Sequence, residues 1–170
     1  MPSHLQIRVG EGLYEGWYVA PRYVEMTCSD NAVPPGPHKM ITIIESPDDT
    51  CYWNIAIAGA QPVYSYGIQA EASQKWLVTD LYPKQPFRLT DSPAARSVWK
   101  ISLVRDNRVI IAGPGEYNPY GYFQNACWKI IPTKSQGPVL GLTWVKGSPC
   151  NPQETDNRAI TFEIVGNLQL

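Results

Sequence analysis

The chain has 170 residues, 44% apolar and 11% aromatic with six Trp and ten Tyr, which is enough to bury a core and excludes wholesale disorder. Charged residues make up only 17%, the formal net charge is −1 and no basic block occurs, so no nucleic-acid partner is expected, because phosphate binding needs clustered Lys or Arg. No run approaches the roughly 18 apolar residues of a membrane-spanning helix, and no membrane partner is expected either.

The N-terminal residues Met1-Pro2-Ser3-His4-Leu5-Gln6-Ile7-Arg8 lack the apolar centre of a signal peptide. That reading leaves a cytoplasmic protein and a mature secreted chain both open. Sixteen Pro and thirteen Gly then punctuate a series of β-rich runs. The runs predict strands over Gly12–Ala20, Tyr23–Thr27, Met40–Glu45 and Tyr52–Ala58. A second group covers Val63–Ala70, Trp76–Asp80, Phe87–Thr90 and Val98–Val104. A third covers Val109–Ala112, Ala126–Ile131, Val139–Val145 and Ala159–Val165. No stretch sustains a helical period, and Ser92–Ser97 offers a single turn at most.

Three of these runs carry an aromatic residue, any residue, then isoleucine: Trp53-Asn54-Ile55, Trp99-Lys100-Ile101 and Phe162-Glu163-Ile164. The two outer residues of each triplet share a face of the strand, so they read as core. The middle residues, Asn54, Lys100 and Glu163, read as facing away from it. The spacing of the triplets predicts an all-β single domain over residues 1–170, with twelve short strands in three four-stranded units. Closure of such a sheet removes its edges.

That organisation resembles the β-trefoil fold. Gly12-Leu13-Tyr14, and the Pro-rich segment leading into Met40-Ile41-Thr42-Ile43-Ile44, are similar to mushroom β-trefoil protease inhibitors, the mycocypins and the cospin-type serine-protease inhibitors. The resemblance implies a non-covalent inhibitor whose surface loops occlude the cleft of a serine or cysteine protease. It points to Arg22 and Tyr23 in one loop, to Asp30, Asn31, Pro34, Pro35 and Lys39 in a second, and to Pro47 and Asp48 in a third. Proline stiffens such a loop before it binds. The second loop has no Arg, and Lys39 is its only strongly basic residue, which departs from the cospin-type pattern.

The alternative is a carbohydrate-binding trefoil with a glycan partner. Its sugar face would be Tyr117, Asn118, Tyr120 and Tyr122 in the most aromatic loop, since Tyr offers a rigid apolar body with a polar tip. Gln74-Lys75-Trp76 matches the Gln-x-Trp signature of ricin-type sugar sites, but it occurs once and in mid-unit.

Neither enzyme chemistry nor a cofactor is expected. A Ser or Cys nucleophile needs a nearby base, and only His4 and His38 are available. No C-x-x-C occurs, and the histidines lie far from the later cysteines, so no metal site is expected. Cys28 and Cys51 share the spacing of Cys127 and Cys150. Two disulfides and four free thiols both remain open, with Cys127–Cys150 the better placed bridge, across a hairpin base.

Overall fold

A computed structural model of the chain describes residues 4–27, 37–58, 65–79, 87–113, 116–117, 123–124, 127–133, 137–142 and 160–167. Alternation of apolar and polar residues sets the strands. In β1 (Gln6–Val9), Ile7 and Val9 are buried while Gln6 and Arg8 are half-exposed. The strands that follow are β2 (Tyr18–Thr27), β3 (Pro37–Ile44), β4 (Trp53–Ile57), β5 (Ser65–Ala70), β6 (Trp76–Val78) and β7 (Arg88–Thr90). A 3₁₀ turn over Pro93–Ala95 leads to β8 (Trp99–Arg105), β9 (Arg108–Ala112), β10 (Glu116–Tyr117) and β11 (Phe123–Gln124). The last are β12 (Trp128–Ile131), β13 (Val139–Leu142) and β14 (Phe162–Val165).

Twelve of these strands join in one antiparallel sheet, in the order β12-β13-β3-β2-β1-β14-β9-β8-β5-β6-β7, with β4 attached to β5. Strands β10 and β11 form a separate two-stranded ladder. The sheet curls into a half-barrel. Its curl brings Trp53 beside Leu5, where the N–H of each donates to the carbonyl of the other at 3.0 and 2.7 Å.

The expectation of a β-trefoil with twelve strands in three four-stranded units is corrected by this topology, and with it the resemblance to the mushroom inhibitors. Pairing is continuous and is not confined to units: β3 pairs with β13, β14 lies between β1 and β9, and β5 is shared by β4 and β8. Two local boundaries also move. A strand occupies residues 6–9, ahead of the first expected strand, and the expected strand Gly12–Ala20 begins only at Tyr18, after a loop.

The aromatic-x-Ile triplets mark the core. Trp53, Ile55, Trp99, Ile101 and Phe162 are buried, and Ile164 packs against them. The first two triplets are used alike. The Trp53 indole N–H donates to the Val19 carbonyl at 3.0 Å, and that of Trp99 to the Leu77 carbonyl at 3.4 Å. At the centre, Trp99 and Trp128 meet edge to face at 5.4 Å between ring centroids. Phe87 stacks on Trp99 at 5.6 Å, and Phe162 meets Trp128 edge-on at 5.6 Å. The middle residues divide. Lys100 is exposed and Glu163 half-buried, whereas Asn54 is buried and donates to Gln69 Oε1 at 3.1 Å.

Cys51 and Cys127 are free thiols, the alternative left open alongside disulfides, so the Cys127–Cys150 pairing is not made; Cys28 and Cys150 lie outside the described residues. Burial pushes both free thiols above their ordinary range.

Two outcomes are expected. Trp99→Ala removes the ring that touches both Phe87 and Trp128, and should destabilise the protein by about 3–5 kcal/mol in chemical denaturation. A loss below about 1 kcal/mol would contradict its place in the core. Thiol titration of the denatured, unreduced chain should count at least two free thiols, those of Cys51 and Cys127.

Candidate functional site

The loop between β1 and β2 is closed by backbone hydrogen bonds: Val9 N–H donates to Trp17 O at 2.7 Å, and Gly16 N–H to Val9 O at 2.8 Å. Inside it, Glu15 N–H donates to Gly12 O at 3.2 Å and Trp17 N–H to Tyr14 O at 3.0 Å. Gly12 and Gly16 have φ of +85° and +87°, left-handed conformations that side chains resist. Tyr14 turns inward and meets Trp17 edge-on at 5.1 Å. Leu13 is left at the apex, 87% exposed.

Ion pairs brace this loop from the neighbouring strands. Glu11 Oε1 accepts from Thr161 N–H at 3.3 Å, and its Oε2 lies 3.4 Å from Arg105 Nη2. Glu15 Oε1 lies 3.7 Å from Arg108 Nη2. Glu163 Oε2 receives Arg8 at 2.7 Å and Arg108 at 2.9 Å. The Glu163 carboxylate holds the Arg8 guanidinium above its ordinary value against the opposing effect of burial, with a smaller contribution from Tyr18. Three arginines and three glutamates thus neutralise one another here.

Arg105 and Arg108 flank the two-residue turn of the β8–β9 hairpin, where Asp106 adopts a φ of +47° that aspartate tolerates. The period of two places Leu103 on the side of Trp99 and Ile101. Those two are buried, yet Leu103 is 62% exposed and the adjacent Val104 46%. The hairpin therefore outruns the core it belongs to. The Arg105–Glu11 pair ties its tip to the loop that carries Leu13.

Of the residues singled out in the sequence, the structure brings Arg22 and Asp48 together. Arg22 Nη1 donates to Asp48 Oδ2 at 2.8 Å and to Thr50 Oγ1 at 3.0 Å. Asp48 Oδ1 accepts from Thr50 Oγ1 at 2.5 Å, from Thr50 N–H at 2.9 Å and from Cys51 Sγ at 3.4 Å. These bonds, the Thr50 hydroxyl first and Arg22 second, hold the Asp48 carboxyl far below the usual carboxylate range. Pro47 is exposed in the same turn. Arg22 is thus engaged within its own chain.

Tyr23 acts as a brace, with its hydroxyl accepting Leu89 N–H at 2.6 Å and linking β2 to β7. Burial raises its pKa, partly offset by that bond. Lys39 lies 6.0 Å above the Tyr23 ring. Gln74 and Trp76 belong to a turn and its strand: Gln74 has a φ of +60° and donates to Glu71 O at 2.7 Å, while Trp76 lies under Arg96 at 4.8 Å. Asp30, Asn31, Pro34, Pro35, Asn118, Tyr120 and Tyr122 lie outside the described residues, as does the side chain of Tyr117, whose backbone pairs with Phe123. Among the described residues no three His, Cys, Asp or Glu side chains group as a metal site. The inhibitor and lectin functions rested on the loops of a trefoil, and the curled single sheet corrects both.

The Leu13 loop escapes a sequence reading because its Tyr and Trp extend the apolar pattern of β2. Its signal is the set of three glycines, Gly10, Gly12 and Gly16, around two glutamates.

Asp48 yields a test with a definite sign. A carboxyl whose folded pKa is depressed contributes stability above its unfolded value, about 3.9, and loses it as the pH falls toward the folded value. Asp48→Asn should therefore be less stable than the parent at neutral pH. Acid titration of the two proteins, followed by thermal melts, should show the gap narrowing below about pH 4.

The chain matches no protein-family model and no curated protein sequence.

Proposed function

We propose that this chain is a non-catalytic protein-binding module whose contact surface is the Leu13 loop together with the tip of the β8–β9 hairpin. The observation that carries the reading is the apex position of Leu13. Single exposed leucines are common on protein surfaces and mean little alone. Here the exposed leucine sits on a loop whose ends are fixed by backbone bonds and by ion pairs to two other strands. A loop ordered before association has less entropy to lose on binding, and an apolar anchor entering a partner's pocket is the usual centre of such an interface. Leu103 and Val104 extend the apolar surface from the adjacent hairpin.

Charge supports a protein partner over a polyanion. The arginines of this end each face a glutamate, so no uncompensated basic patch is offered to phosphates. The non-catalytic part of the reading is supported by the groups that chemistry would need. The His4 ring stacks on Tyr52 at 3.7 Å and lies 3.2 Å from Glu71, while the Cys51 thiol is buried against Asp48.

The test is a photo-crosslinking amino acid placed at position 13, with one at Ile57, another exposed apolar site, as the control. The partner captured at position 13 alone is identified, purified and titrated. Leu13→Asp should weaken its binding at least about tenfold, with folding stability unchanged within about 0.5 kcal/mol because the side chain is almost wholly exposed. Equal binding by L13D would overturn the reading.

A further inference from the structure

We infer that Arg108 is the positioning residue of the Leu13 loop, its guanidinium acting as a three-way lock between the loop and the sheet. The lock exists whatever the loop does; its role in recognition rests on the binding function proposed above.

The three nitrogens of Arg108 reach three different segments. Nε donates to the Gly10 carbonyl at 3.1 Å, where β1 passes into the loop. Nη1 donates to Glu163 in β14 at 2.9 Å. Nη2 faces Glu15, on the far side of the apex, at 3.7 Å. Both feet of the loop are thus held by one planar group. Only a guanidinium offers donors in this fixed fork; an ammonium is a single point with rotating donors.

The absence of a side chain at residue 10 belongs to the same arrangement. A Cβ there would lie 2.8 Å from Arg108 Cδ and 2.9 Å from the Thr161 carbonyl. The arginine stem therefore passes close to a glycine, whose backbone N–H is itself tied to Thr161 O at 2.8 Å. Glu163 is shared with Arg8, so the anchor for the lock is itself held from β1. Residues Gly12 to Tyr14 are left to project, and of these only Leu13 turns a large side chain outward. The orientation of that side chain follows from a contact made on β9.

The experiment is amide hydrogen exchange on the full chain, followed residue by residue, for Arg108→Gln and Arg108→Lys. The Glu15, Gly16 and Trp17 amides, which close the loop, should exchange about tenfold faster or more in both variants, while Ile55 and Ile68 in β4 and β5 keep the parental rate. Arg108→Lys retains the charge and an aliphatic stem over Gly10, and so remains readable should Arg108→Gln not fold. Parental exchange in the loop of R108K would show that charge alone suffices and would overturn the lock. An equal acceleration in β4 and β5 would reduce Arg108 to a general stabiliser and overturn it as well. A loosened loop with no partner captured at position 13 would keep the lock and remove the binding function; a captured partner with an unchanged loop would do the reverse.

Discussion

Burial of one contiguous aromatic cluster constrains everything else in this protein. Phe87, Trp99, Trp128 and Phe162 come from the segment before β7 and from β8, β12 and β14, and their rings meet at 5.4 to 5.6 Å. A flat sheet exposes one side of such a cluster to water. A curled one surrounds it, and edge-to-face contacts add to the hydrophobic gain. The curl brings Leu5 and Trp53 into backbone contact, although the two residues lie far apart in the chain. It also sets the limit of the core. Where the β8–β9 hairpin extends past the rings, residues in core register such as Leu103 emerge into solvent.

The charged residues follow from that limit. Around the end of the sheet, apolar contacts such as that of Tyr14 with Trp17 fix only part of the strand ends and turns. Arg8, Arg105 and Arg108 with Glu11, Glu15 and Glu163 do this work by geometry. Exposed ion pairs contribute little stability one by one. Their effect here is conformational, since the pairs involve different segments and two of the carboxylates lie in the loop itself. The Arg22–Asp48–Thr50 group plays the same part where β2 meets the turn before β4. An exposed arginine in a sequence thus reads as a contact residue, whereas here its partner is internal.

Much of the strand content was legible in the chain. The aromatic-x-Ile triplets lie in β4, β8 and β14, and their outer residues enter the core. The same triplets misled on architecture. They record which residues must be buried, and that requirement is common to any curled sheet with an aromatic centre. They carry no information about which strand pairs with which, because ladder bonds are made by backbone groups common to all residues. Asn54 shows the limit at the scale of one residue. Alternation places it outside, but Gln69 on the paired strand covers it and supplies an amide partner. The Leu13 loop was hard to read for a related reason: Tyr14 and Trp17 look like strand residues, and the backbone bonds from Val9 to Gly16 and Trp17 show that the chain has turned.

By itself the sequence determined the all-β character, the density of turns and the identity of most large core residues, because these depend on side-chain polarity at a period of two. The tertiary structure decided the order of strands in the sheet, the exposure of Leu103 and the clamping of the Leu13 loop. Each of those depends on residues distant in the chain meeting in space: Arg108 with Gly10, Glu15 and Glu163 above all. A local pattern encodes which face of a strand is apolar; which distant group covers that face is set only when the whole sheet has curled around its rings.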